Sequence, residues 1–150
     1  MTVTVQTEDF DAGAQLNKLR LASPNIGALV SFVGQVRDIN DGDSINTLTL
    51  EHYPGMTESA LLAIETEAKA RWSILDSVII HRVGTLKPLD QIVLVAVVSA
   101  HRGEAFKACE FIMDYLKTQA PFWKKEATKQ GQRWVEAKLS DDLALKQWQK

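Results

Sequence analysis

The feature that most limits the possible folds is the segment 91–100, which consists almost entirely of Val, Leu, Ile and Ala. Its unbroken apolar run, 92–98, has the length of a strand and is too short to cross a membrane. An apolar run without alternation is typical of a strand that is buried on both faces. The segment therefore predicts a central strand in a sheet that other elements cover.

Apolar periodicity predicts the remaining elements. Alternation indicates four further strands, at 2–7, 26–36, 47–53 and 76–83. A helical period indicates three helices, at 10–21, 56–72 and 102–120. The last elements are expected to be a hairpin, with strands at 122–127 and 133–137, and a short helix at 140–150. Because strands and helices are mixed without strict alternation, the predicted fold class is α+β with a mixed, mainly antiparallel sheet.

Two local expectations follow from the same pattern. The strands 26–36 and 47–53 are expected to be neighbours, joined by the turn-rich acidic loop 38–44. Thr57 is expected to be the N-cap of the helix that follows, because a threonine hydroxyl can accept a hydrogen bond from a free backbone amide.

Nothing in the 150 residues marks a linker, a repeat or a low-complexity tract, so we expect one domain, 1–150. The single cysteine, Cys109, permits no intrachain disulfide, and it lies on the apolar side of a predicted helix, where a core position is expected. The N-terminus has no basic start and no apolar stretch of signal-peptide length, which favours a cytoplasmic location.

Charge is unevenly distributed, although the net charge is only −2. Residues 1–100 carry 7 Lys+Arg and 12 Asp+Glu, whereas residues 101–150 carry 10 and 7. A local excess of cations lies within 117–133. Such an excess indicates either a site for an anionic ligand or a solvated basic face.

Three places have side chains suited to chemistry. The segment 99–102 follows the central strand and opens a helix, so His101 and Arg102 lie where free backbone amides favour an anion. Lys117 and Lys124 flank a proline bend that could bring both to one pocket, with Lys125 and Glu126 next to them. Each site has a plainer interpretation: polar residues at a helix start, and lysines that complement a helix dipole or the surface.

The third place is 34–38, where Gln35, Val36 and Arg37 end a strand beside a flexible loop. Arg37 is either a phosphate clamp or a strand-end arginine paired with a nearby carboxylate. Three histidines without ligand spacing and one cysteine do not indicate a metal site, and no phosphate-binding glycine motif is present.

The segments 48–56 (LTLEHYPGM), 99–102 (SAHR) and 111–126 (FIMDYLKTQAPFWKKE) closely resemble the large, catalytic subunit of molybdopterin synthase, the MoaE family. The order and spacing match from about 26 to 138, which is taken as the core of the domain. The resemblance implies an α+β fold with a hammerhead-like β element. It also implies a sulfurtransferase of molybdenum cofactor biosynthesis, which converts cyclic pyranopterin monophosphate to molybdopterin.

The resemblance further implies the partners. Two sulfurs come from the C-terminal thiocarboxylate of a small ubiquitin-like sulfur-carrier subunit that ends in Gly-Gly. Two large subunits form a central homodimer within a heterotetramer. No cofactor, metal, nucleic acid or membrane is implied.

The resemblance also implies roles for residues. Lys117 matches the catalytic lysine and Lys124 the second pocket lysine. The substrate-binding set implied by the family's motifs is Gln35, Val36, Arg37, His101, Arg102, Lys125 and Glu126. Three residues depart from the family's pattern: Gln119 stands where arginine is expected, Gln35 where lysine is common, and Thr85 where glutamate is frequent. These departures affect individual binding contacts more than the activity.

Two alternative functions remain open at this point. The basic and aromatic residues of the C-terminal third could bind single-stranded nucleic acid by stacking and charge, with a steep dependence on salt. The chain could also be a non-catalytic scaffold for a ubiquitin-like partner, in which case Lys117→Ala would not affect product formation.

Overall fold

The computed structural model describes residues 2–40, 43–129, 131–135 and 139–149. These residues form nine strands and four helices, which are β1 (Thr2–Gln6), α1 (Ala12–Arg20), β2 (Ala28–Gln35), β3 (Ile39–Asn40), β4 (Asp43–His52), α2 (Met56–Arg71), β5 (Ile74–Arg82), β6 (Gly84–Leu86), β7 (Gln91–Ser99), α3 (Arg102–Gln119), β8 (Phe122–Thr128), β9 (Gly131–Val135) and α4 (Leu139–Lys146).

The strands form two sheets. The larger sheet, by number of residues, has four long strands in the order β1-β5-β7-β2, and the smaller sheet has five strands, two of them very short. Strand β1 runs parallel to β5, and the other two pairings are antiparallel. Along β7, alternate side chains enter two cores: Val95 packs with helices α2 and α3, and Leu94 packs with α1. The predicted central strand is therefore confirmed, and so is the predicted α+β class with a mixed, mainly antiparallel sheet.

The smaller sheet is built on β4, which pairs with β3, β6 and β8, while β9 extends it beyond β8. The expected pairing of 26–36 with 47–53 is wrong, because β2 pairs with β7 and β4 pairs with β8. Alternation fixes which face of a strand is buried but does not identify its neighbour. The hammerhead-like element stays a prediction.

The segment between β2 and β4 is more ordered than the expected loop. In its described part, Ile39 pairs with Ser44 and Asn40 with Asp43, which forms a short hairpin on β4. Residues 41 and 42 of the predicted loop lie outside the described residues. The closing hairpin of β8 and β9 and the C-terminal helix α4 are confirmed.

The expected N-cap of α2 is also wrong, because the helix begins at Met56, two residues earlier than a Thr57 cap requires. Gly55 is the N-cap, with φ of +84°, and its N–H donates to the Glu58 carboxylate at 3.2 Å. Thr57 is fully buried; its hydroxyl donates to the Tyr53 carbonyl and accepts from the Tyr53 N–H, both at 3.0 Å. Thr57 therefore ties the end of β4 to α2.

A buried carboxyl group lies between α2 and β5. Glu65 is fully buried, the Ser77 hydroxyl donates to its Oε2 at 2.6 Å, and its Oε1 has no hydrogen-bond partner. Burial is the largest cause that raises the pKa of Glu65 above 4.5, Asp76 raises it further, and the Ser77 hydrogen bond opposes the shift. The folded protein therefore holds this proton more tightly than the unfolded chain does.

We expect Glu65→Gln to flatten the pH dependence of stability. Because the pKa of Glu65 is raised on folding, its contribution to the free energy of unfolding falls as the pH rises from 4.5 to the folded pKa. Above that pH, the full cost of burying the ionised carboxylate destabilises the protein. Each unit of pKa difference corresponds to about 1.4 kcal/mol of unfolding free energy. Urea unfolding from pH 4.5 to 8 checks this. Glu67→Gln is the exposed control on the same helix, and equal pH slopes for wild type and Glu65→Gln would contradict the expectation.

None of the helices in the described part of the chain is both long and apolar enough to span a membrane.

Candidate active site

The bend between α3 and β8 brings two lysines together. Lys117 lies in the last turn of α3, which ends at Gln119, and Ala120 adopts an extended conformation before Pro121. The N–H of Phe122 then donates to the Ala120 carbonyl at 2.9 Å, and β8 begins. A residue before proline disfavours helix, so the sequence itself places the reversal here. The predicted bend is confirmed.

The bend borders a cleft of about 380 Å³. Five parts of the chain contribute to it: the end of β2, the end of β5, the start of β7, the end of α3 and the start of β8. Its lining residues are Phe32, Val33, Gly34, Gln35, Arg37, His81, Ile92, Val93, Leu116, Lys117, Ala120, Phe122 and Lys124. Apolar walls therefore surround a small group of cations, which is suited to a small anionic molecule with an apolar or aromatic part.

An aromatic stack lies in the wall of the cleft. The imidazole of His81 lies against the ring of Phe122, with centroids 3.8 Å apart and planes inclined by 17°. His81 is only 3% exposed, and its Nδ1 is 2.7 Å from the Arg82 carbonyl oxygen. The pKa of His81 is lowered to about 3, and burial is the largest cause. The hydrogen bond to Arg82 raises this pKa, whereas the nearby Lys124, Lys117 and His52 lower it further. The positive charge in the cleft therefore comes from lysine and arginine.

Four of the residues singled out in the sequence lie together in the cleft: Gln35, Arg37, Lys117 and Lys124. Lys117 is exposed at the helix end, and Lys124 is half-buried on β8. Two ammonium groups and one guanidinium group can bind a phosphate or stabilise a developing oxyanion.

Three of the others lie on neighbouring elements but do not line the cleft. Val36 is buried in the core of the smaller sheet. Lys125 follows Lys124 on β8 and so points to the opposite face, where its Nζ lies 5.1 Å from the centre of the Trp134 ring. Glu126 is buried and forms an ion pair with Arg133 at 3.5 Å. Their role in substrate binding stays a prediction.

His101 and Arg102 lie at the other end of α3. The helix rises 1.5 Å per residue, so the Cα atoms of Arg102 and Lys117 are about 22 Å apart. The N–H of Gly27 donates to the Ser99 carbonyl at 3.0 Å, and a Cβ at position 27 would overlap the Ala100 carbonyl oxygen. Close packing therefore fixes this end of the helix away from the cleft of the same chain.

Cys109 is the single cysteine of the chain. Cys109 is buried in the core as expected, and burial raises the pKa of its thiol to about 12. A thiol of this kind is a poor nucleophile. Among the described residues, no cluster of three or more His, Cys, Asp or Glu side chains is arranged to hold a metal ion.

His81 and Phe32 received no role from the sequence, and Phe122 was considered only as an aromatic residue of the nucleic-acid alternative, although all three line the cleft. A signal for His81 did exist, because it lies near the end of a strand that was predicted at 76–83 and is observed at Ile74–Arg82. Its neighbours across the cleft come from β8 and α3, and that proximity depends on tertiary packing.

Fold and cleft together define an α+β protein with a cation-lined cleft for an anionic small molecule. The family model "MoaE protein" matches residues 5–119. The molybdopterin synthase catalytic subunit of Ralstonia nicotianae is 61% identical over 98% of this chain and 84% of its own length. The chain therefore belongs to the MoaE family, and the resemblance read from the sequence is confirmed.

Solved structures agree with this assignment. The molybdopterin biosynthesis MoaE protein of Burkholderia ambifaria matches with a TM-score of 0.84 and 57% identity, covering 98% of this chain and 97% of that one. A complex of subunits 1 and 2 of the molybdopterin-converting factor of Helicobacter pylori contains a chain that matches with a TM-score of 0.74. That match covers 89% of this chain and 90% of the other, and at 20% identity it is a likeness of fold alone.

Proposed function

We propose that the chain is the catalytic subunit of a molybdopterin synthase and converts cyclic pyranopterin monophosphate to molybdopterin. The observation that carries the proposal is the convergence of Lys117, Lys124 and Arg37 on one cleft. The substrate is a phosphorylated heterocycle, and the cleft offers both cationic groups and apolar walls of matching chemistry. The family relationship supports the reaction, and the chemistry of the cleft supports its location there.

Lys117 is proposed as the catalytic residue. Its ammonium group can stabilise the oxyanion or the hemithioketal-like intermediate that forms when the thiocarboxylate sulfur attacks the pterin side chain, or it can transfer a proton there. Lys124, half-buried across the bend, supplies a second positive charge beside it. Cys109 takes no part, because its thiol is buried and stays protonated.

The substrate phosphate is proposed to bind at the β2 side of the cleft, where Arg37 and Gln35 lie. Arg37 suits this role because a guanidinium group can donate two parallel hydrogen bonds to a phosphate. His101 and Arg102 of the same chain are too distant to bind the same small molecule as Lys117. If they belong to the substrate site, a second copy of the chain must supply them.

The partner is proposed to be a small ubiquitin-like subunit whose C-terminal Gly-Gly thiocarboxylate enters the cleft. The fold neighbour from Helicobacter pylori is a complex of two subunits, which supports such an arrangement. A homodimer of this chain would form the centre of the heterotetramer, with one small subunit for each cleft. The single cysteine favours a reducing compartment, and we place the reaction in the cytoplasm.

Single-turnover conversion tests the proposal. The purified chain is mixed with a thiocarboxylated small subunit and cyclic pyranopterin monophosphate, and molybdopterin is measured after oxidation to its fluorescent derivative. Product that depends on the chain and on the thiocarboxylate is the expected result. No product, beside an active control synthase, would overturn the proposal and favour a scaffold that only docks its partner.

A further inference from the structure

The ring of His81 occupies a defined position in the cleft wall. Its Nδ1 lies 2.7 Å from the Arg82 carbonyl oxygen, which can only accept a hydrogen bond. The hydrogen of a neutral imidazole must therefore be on Nδ1, and Nε2 carries a free lone pair. Among the described residues, the Arg82 carbonyl is the hydrogen-bond partner of this side chain, and no donor reaches Nε2.

The surroundings hold the ring in this orientation. Phe122 stacks on one face at a centroid distance of 3.8 Å. The Arg82 guanidinium donates to the carbonyls of Thr7 and Gln91 at 3.0–3.2 Å, which fixes the residue that carries the accepting carbonyl. Rotation of the ring would break the Nδ1 hydrogen bond in a site that is almost closed to solvent, so the direction of Nε2 is set by the fold.

The same surroundings keep the ring uncharged. Burial is the main cause of the lowered pKa, and the positive groups that face His81 are Lys124 on β8 and Lys117 on α3, with His52 on β4 adding a smaller effect. Since the pKa of about 3 is far below neutral, His81 is a poor general base. It offers a hydrogen-bond acceptor among side chains that mainly donate.

We propose that His81 is a specificity-determining residue, whose Nε2 accepts a hydrogen bond from an N–H group of the heterocyclic part of the substrate. Lys117, Lys124 and Arg37 contact anionic groups, which accept hydrogen bonds, whereas a pterin-type ring also presents N–H donors along its edge. His81 then orients the ring while the cations hold the phosphate and the reacting centre. This inference rests on the proposed function.

The test compares wild type with His81→Asn in the complete reaction with excess thiocarboxylated partner. An asparagine amide can still donate to the Arg82 carbonyl, but it does not reach the position of Nε2. We expect the KM for the pterin to rise about 10-fold, with kcat within about 3-fold of wild type, because the lost hydrogen bond holds substrate before and during the reaction. His81→Gln places an amide near the Nε2 position and is expected to recover part of the lost affinity.

His52→Asn is the matched control, because this histidine lies on β4 in the other sheet and does not line the cleft. We expect it to leave KM within about 2-fold of the wild-type value. A fall in kcat for His81→Asn without a change in KM would overturn the inference and leave the proposed function intact. An inactive wild type, beside an active control synthase, would instead overturn the proposed function and this inference with it.

A measurement on wild type keeps the inference testable if His81→Asn does not fold. Nitrogen-15 NMR of the histidine side chains is recorded with and without cyclic pyranopterin monophosphate. We expect the Nε2 signal of His81 to be that of an unprotonated nitrogen from pH 5 to 9, roughly the range in which ordinary histidines titrate. The signal should shift towards the hydrogen-bonded position when the pterin binds. A protonated Nε2, or no shift at saturation, would overturn the inference.

Discussion

Replacing Lys117 with alanine is expected to lower the rate of molybdopterin formation by about 10²–10⁴-fold, the usual effect of removing a positioned acid–base or charge-stabilising group. The side chain is exposed in the last turn of α3, so its loss leaves no cavity in the core. We therefore expect the unfolding temperature and the binding of the small subunit to stay near wild type. Single-turnover kinetics with saturating pterin measures the effect on chemistry alone.

Lys107→Ala is the control for this prediction, because Lys107 is an exposed lysine on the same helix that does not line the cleft. It should retain wild-type activity. Lys117→Arg keeps the positive charge but changes its shape, so partial activity would indicate electrostatic stabilisation rather than proton transfer. Full activity of Lys117→Ala would remove this residue from the mechanism and direct attention to Lys124.

The second large effect is expected when two variants with reduced activity are combined in one dimer. Arg102→Ala should reduce activity about 10-fold or more, because a charge-assisted hydrogen bond to phosphate contributes roughly 1.5–3 kcal/mol. If Arg102 acts on the cleft of a second copy, a mixed dimer of Lys117→Ala and Arg102→Ala chains contains one intact site and one doubly altered site. A purified mixed dimer should therefore have about half of wild-type activity, and a random mixture, in which about half of the dimers are mixed, about a quarter.

The distance along α3 is the reason for this expectation. About 22 Å separate Arg102 from Lys117 in one chain, which exceeds the reach of their two side chains around one small molecule. The mixture is refolded together or co-expressed with two different tags, and the doubly tagged dimer is purified for the assay. A chain that carries both substitutions is the control and should stay inactive after mixing with itself. Failure of the mixed dimer to recover activity would show that the two residues serve different sites.

Much of this arrangement could be predicted from local sequence. The run at 91–100 predicted the buried strand β7, and Pro121 predicted the reversal that brings Lys117 and Lys124 together. In both cases the cause is local: one is continuous apolarity, and the other is the restriction that proline imposes on the preceding residue.

The remaining features depend on contacts between distant parts of the chain. The pairing of β2 with β7 instead of β4 depends on a register between positions 56 to 71 residues apart, which alternation does not encode. The role of His81 depends on Phe122, 41 residues later in the chain, which stacks on its ring. The separation of Arg102 from Lys117, by contrast, could have been calculated from the predicted length of one continuous helix.

The parallel pairing of β1 with β5 has a consequence for the order in which the protein is made. Thr2 lies beside Val78, so the first strand has no partner until more than half of the chain has left the ribosome. Strand β5 is itself held by β7, which emerges later still. Long-range pairings of this kind form slowly, because the chain must close a large loop before any contact stabilises it. We therefore expect the N-terminal strand to stay unpaired during synthesis until β5 and β7 have formed their part of the sheet.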